Sequence, residues 1–141
     1  MKCISYKEDY KYQLTEAYST EITIKPKNDI DFDYIVLSSD GVISIKKGYA
    51  WDGPSGPTID TLNFMRGSLV HDALYQLMRE NILDKNTHRE QADKLLHEIC
   101  IQDGMSSIRA WWVYKGVRIG GDSAASASNK KPIKKAPESC Q

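Results

Sequence analysis

His71, Asp72 and Tyr75 fall within one short stretch, and Asp93 follows on the next segment with a helical pattern. An imidazole, two carboxylates and a phenol are the groups needed to draw a proton from water and to hold a hard cation beside it. At about 100° per residue, His71 and Tyr75 share one flank of a helix, beside an apolar stripe of Val70, Ala73 and Leu77, while Asp72 points the other way. Asp93 borders a second stripe, Ala92, Leu96 and Ile99, in the same fashion. Antiparallel packing of the two helices would bring its carboxylate to the imidazole and the phenol. A carboxylate on one ring nitrogen fixes the tautomer and leaves the other nitrogen as a base. The same residues also describe a purely structural network that ties two helices together, and composition alone favours that plainer reading.

The elements that must position these groups can be read from the pattern. Short strands are expected between Tyr10 and Tyr49: Tyr18 to Ile24 is rich in β-branched and aromatic residues, and Ile35–Leu37 and Val42–Ile45 flank a turn ending in Asp40-Gly41. Trp51-Asp52-Gly53-Pro54-Ser55-Gly56-Pro57 stops both helix and ladder and exposes carbonyls on a stiff loop. With the outward Asp72, backbone oxygens around Trp51, Asp52, Gly53, Ser55 and Gly56 would make an all-oxygen set suited to Ca²⁺. Helical spacing then runs from Leu62 to about Arg79, restarts at a capping box at Thr87 and ends at Gly104, and a third helix spans Ser107 to Gly120-Gly121. The expected fold is α+β: a small N-terminal antiparallel sheet, a Gly/Pro loop, and C-terminal helices built on an antiparallel pair. Residues 1–121 form a single domain in this reading, and 122–141 a disordered Ser/Ala/Lys/Pro tail. Of the Trp111-Trp112 pair, one ring is expected in the core and the other at its edge, and His88 and His97 are expected on exposed helix faces.

Charge narrows the function classes. Lys plus Arg and Asp plus Glu each number 19, so the field that gathers nucleic acid is missing and no nucleic-acid partner is expected. Cys3, Cys100 and Cys140 are odd in number and lack any Cys-x-x-Cys spacing, which suits free thiols in a reducing cytoplasm. No stretch is apolar enough for a signal peptide or a membrane span.

Two resemblances rest on these residues. Gly48-Tyr49-Ala50-Trp51-Asp52-Gly53-Pro54-Ser55-Gly56-Pro57, then Ser68-Leu69-Val70-His71-Asp72-Ala73-Leu74-Tyr75, Arg89, Ala92-Asp93, Arg109-Ala110 and Val117-Arg118-Ile119-Gly120 resemble an uncharacterised family of small bacteriophage and prophage proteins. That resemblance implies a phage or prophage source, residence in the host cytoplasm or the virion, and other phage or host proteins as partners. It implies a virion or tail accessory piece or a host-interaction module, in which the cluster is structural. More locally, a Gly-rich loop, His-Asp-x-x-Tyr on one helix and Asp on an antiparallel helix are similar to the phospholipase A₂ site, above all its disulfide-free form in parvovirus capsids. By that resemblance His71 is the general base, Asp93 orients it, Tyr75 supports Asp93, Asp72 holds Ca²⁺, and the substrate is a phospholipid ester. The paired cysteines of the secreted enzymes are absent, the loop departs from their calcium loop, and the β-rich first third has no counterpart there. A His-Asp phosphohydrolase would need a further His upstream, and His71 is the first in the chain.

Overall fold

The computed structural model describes residues 4–6, 12–52, 61–126 and 134–136. Strands come from the β-branched and aromatic first third. β1 (Ile4–Tyr6) pairs with β8 (Lys134–Ala136), and β2 (Tyr12–Gln13) with β7 (Ala50–Trp51), both antiparallel. Between them β3 (Tyr18–Glu21), β4 (Ile30–Phe32), β5 (Ile35–Leu37) and β6 (Val42–Ile45) form an antiparallel sheet in the order β3-β6-β5-β4. The period of two decides its faces: Ile35 stands opposite Ile45 and Leu37 opposite Ile43, all four fully buried. On the other face Ser19 and Ser44 share a hydroxyl hydrogen bond of 2.9 Å. The β5–β6 turn closes at Gly41, whose φ of +88° and contact with the Ile22 carbonyl exclude a Cβ.

Three helices follow: α1 (Leu62–Arg79), α2 (Lys85–Gln102) and α3 (Ser107–Ala125). Together with the sheets this is the expected α+β arrangement. α1 ends with Asn81 and α2 with Gly104 in the left-handed region, and Ile82 N–H returns to Leu77 O at 2.9 Å as Met105 N–H does to Cys100 O at 2.9 Å. The short connections fold α2 back along α1 and α3 back along α2. Leu69, Val70, Ala73, Leu74, Leu77 and Met78 join the buried face of the sheet in one core, each leucine, valine or methionine among them contributing roughly 1.5–3 kcal/mol. Phe64, Leu96, Cys100, Met105 and Ala110 make a second, smaller core among the helices.

Several boundaries differ from expectation. β3 ends at Glu21, short of Ile24. α2 starts two residues before Thr87, because Asp84 is its N-cap, accepting from Asn86 N–H at 3.2 Å and from the Thr87 hydroxyl. Leu62, read as part of the apolar stripe, is 94% exposed at the helix start, and burial begins at Phe64. α3 does not stop at Gly120-Gly121: it runs on to Ala125, which is buried, so the first residues of the stretch expected to be disordered are helical. Tertiary packing there outweighs the low helix propensity of two glycines. Lys134–Ala136, within that same stretch, is strand.

Candidate functional site

α1, α2 and α3 meet at one carboxylate. Asp93 is fully buried, and its Oδ1 accepts from the Tyr75 hydroxyl at 2.6 Å and lies 2.7 Å from His71 Nε2. Arg118 Nη1 donates to Oδ2 at 2.8 Å, so each of the other two helices contributes to holding this single group of α2. The flank positions that place His71, Tyr75 and Asp93 together follow from helical spacing and antiparallel packing. The Arg118 contact does not.

Burial by itself would raise the Asp93 pKa; bonds from His71 and Tyr75, the charge on His71 and the Arg118 bond outweigh it, and the carboxyl is held below its usual range. An ionised carboxylate only accepts, so the proton between the two side chains resides on His71 Nε2. The His71 ring packs against Tyr75 with centroids 4.1 Å apart and the planes tilted by 36°, which restricts its rotation. Its other nitrogen, Nδ1, is 3.9 Å from Asp72 Oδ1. This corrects the expectation that Asp72 points away: its carboxylate turns toward the imidazole, and it is partly buried. Burial would depress the His71 pKa, but bonds and charge from Asp72 and Asp93 prevail and raise it. The Tyr75 phenol is pushed up, by burial first and then by Asp93, and remains protonated.

His71 and Asp72 line a cleft of about 550 Å³ between α1 and α3. Its apolar wall includes Phe64, Leu96 and Val113, and Asp52, Arg79 and Arg109 add charge. α3 faces the cleft with Gly116 and Gly120, where an added Cβ would meet open space. Gly121 does the opposite. It is buried against Tyr75, and a Cβ there would collide with the phenol oxygen. The helices are tied at both ends of the cleft, by Arg109 Nη1 to Thr61 Oγ1 at 2.7 Å and by Arg79 Nη1 to Ala124 O at 3.0 Å.

Of the loop residues expected to offer ligands, Gly53, Ser55 and Gly56 lie outside the described residues. Trp51 is buried in β7, and its indole N–H donates to Ser68 Oγ at 3.1 Å, which fastens β7 to α1. Asp52 stands at the cleft wall. The Tyr49 phenol is pushed up by burial and then by Asp72, with Asp52 adding to the effect, so both carboxylates act on the same neighbourhood. Two carboxylates suit a hard cation, yet among the described residues no group of three or more His, Cys, Asp or Glu side chains could hold a metal ion.

Arg118 and Arg89 were missed as site residues. Arg89 Nη2 donates to Arg118 O at 2.7 Å and Val117 O at 3.2 Å, and so braces the turn of α3 that carries Arg118. Both arginines stand among the residues that carry the family resemblance, which gave them no role. Trp111 and Trp112 are 46% and 64% exposed, so neither ring enters the core. His88 and His97 are half-buried, not exposed, and the His97 ring meets Tyr114 edge-on at 6.0 Å. Cys100 is a buried free thiol, raised by burial and then by Asp103 to about 11, whereas Cys3 and Cys140 lie outside the described residues.

An α+β chain with a three-helix carboxylate junction beside a cleft is the class that fold and site define. Residues 27–117 match the DUF1353 family of proteins of unknown function, and the chain belongs to that family. The match includes His71, Asp72, Tyr75 and Asp93. No curated protein and no solved structure matches the chain. Among the described residues, no helix is long and apolar enough to cross a membrane.

Proposed function

We propose that the α1–α3 cleft is a hydrolytic site for a lipid-like ester, with His71 as general base. One observation carries this reading: the imidazole is fixed through Nε2 on the buried Asp93 while the residue forms part of a cleft wall. Neutral His71 would take a proton from water at Nδ1. The oxygen then bonds to the ester carbonyl carbon, and the same proton goes to the departing alcohol as the carbon–oxygen bond breaks. Asp93 orients the ring and offsets its charge while it holds the proton, and Tyr75 and Arg118 keep Asp93 ionised. Asp72 and Asp52 are the side chains that would hold Ca²⁺. When bound, the ion would supply an electrophile for the ester carbonyl.

A second reading is favoured by the saturation of Asp93, all of whose contacts join helices. In it the cluster is structural, and the chain is a phage accessory protein acting by binding. Phospholipid release measured in calcium buffer on wild type and His71→Ala, paired with melting curves, separates the two. Lost turnover with unchanged melting supports hydrolysis. A large drop in melting temperature with no wild-type turnover, or no Ca²⁺ binding at about millimolar concentration, removes it.

A further inference from the structure

Beside the cleft, α3 turns a different set of side chains to solvent. Ile108, Trp111, Trp112 and Ile119 are 73%, 46%, 64% and 84% exposed, and Lys115 is exposed among them. Helical spacing gathers these five residues into an arc of about 100°. The indole rings meet edge to face at 5.0 Å, and Lys115 Nζ stands 5.4 Å from the Trp111 ring centroid. The next arc of α3 forms the cleft wall, and Trp112 belongs to both. Between Ser107 and Gly121 the helix contains Arg109, Lys115 and Arg118 and no acidic residue, in a chain whose formal net charge is zero. Arg118 is engaged by Asp93, which leaves Lys115 as the cation of the exposed arc.

We infer that this face of α3 docks on a lipid surface bearing anionic headgroups. The indoles and isoleucines enter the boundary between headgroups and acyl chains, and Lys115 lies level with the headgroups. Two observations favour lipid over a protein partner. Protein interfaces are depleted of lysine at their centres, whereas tryptophan together with lysine is the combination enriched at bilayer surfaces. With no acidic residue in this part of α3, the charge of Lys115 complements an anionic layer. With Trp112 at the seam, docking turns the mouth of the cleft toward the lipid. The inference does not depend on His71 being a base.

The test uses the full chain with vesicles of phosphatidylcholine, alone or mixed with phosphatidylglycerol. The protein should sediment with the mixed vesicles, and its tryptophan emission should shift to the blue. Trp111→Ala combined with Trp112→Ala should weaken partitioning by about tenfold or more, with an unchanged melting curve because both rings are exposed. Lys115→Gln should weaken binding to the mixed vesicles, and His71→Ala should bind like wild type. Failure to sediment with either vesicle, or undiminished binding by the folded double variant, overturns the inference. So does an emission shift that follows protein concentration without vesicles, which would assign the face to a second copy of the chain. Undiminished binding by Lys115→Gln overturns the anionic preference. Vesicle binding without ester release keeps the docking face and removes hydrolysis; release of a soluble short-chain ester without vesicle binding does the reverse.

Discussion

Two carboxylates fasten α2 to α1, and they do so in unlike surroundings. At one end of the pair Asp103 takes both Nε and Nη2 of Arg66, which also reaches the Tyr18 hydroxyl at 3.0 Å and ties the sheet to the helices. Further along, Asp93 takes His71, Tyr75 and Arg118. The Arg66–Asp103 pair remains partly open to solvent, with side chains 31% and 24% exposed, whereas Asp93 is fully buried. Arg66 carries its charge at every working pH, held there chiefly by the Asp103 bond; His71 titrates. A permanent cation suffices to clamp two helices. The junction that carries a titratable ring is the one that opens on a cleft.

The comparison breaks most readily at Asp93. Asp93→Ala would leave Arg118, His71 and Tyr75 without their shared partner, and urea unfolding should record a loss of about 3–5 kcal/mol. A loss below about 1 kcal/mol would mean that the junction does not hold the helices together. Gly121→Ala should destabilise by about 1–3 kcal/mol by forcing α3 off the Tyr75 phenol, whereas Gly116→Ala, facing open space, should not. Equal effects at the two glycines would contradict the packing of α3 described above. Arg66→Ala should cost only about 1 kcal/mol, and less in high salt, because solvent screens the pair.

The smallest expected effect is that of pH, and it has a sign. His71 has a raised pKa in the folded protein, so it contributes stability that is fully present below its unfolded value near 6.5 and is lost as pH rises through the folded value. Asp93 has a lowered pKa, so its contribution is present above its unfolded value near 3.8 and is lost as pH falls through the folded value. Melting temperature should therefore decline on the alkaline side of 6.5 in wild type and not in His71→Gln. Under the proposed hydrolysis, which calls for the neutral ring, ester release should rise over that same range. Arg66, charged throughout this range, provides no such alkaline slope, and a slope that survives in His71→Gln would assign it elsewhere.

How much of this was legible in the residues depends on the range of the contact. The His71–Tyr75–Asp93 meeting follows from local periodicity plus one antiparallel turn, and both were visible. So was the Asp40-Gly41 turn, since positive φ has a sequence signature. Arg118 was not, because its partner depends on how α3 is rotated against α2, which no short-range pattern specifies. The extension of α3 to Ala125 was hidden for a related reason: Gly120-Gly121 reads as a stop, and tertiary contacts reverse it, Gly121 on Tyr75, Arg79 on the Ala124 carbonyl and the burial of Ala125. Asp72 was misplaced because a wheel gives the direction of a Cβ, and a short side chain on the flank can still turn back to the neighbouring imidazole.

The arginine ties at the two ends of the cleft have a consequence for molecular traffic. With Arg109 on Thr61 and Arg79 on the Ala124 carbonyl, α1 and α3 are joined like the rails of a ladder at its top and bottom rungs. For a guest of the proposed site, lengthwise passage would mean undoing a rung, and the broadside route would run past the glycine side of α3. Residence time would then follow the sideways flexing of the middle of α3 more than the fraying of its ends.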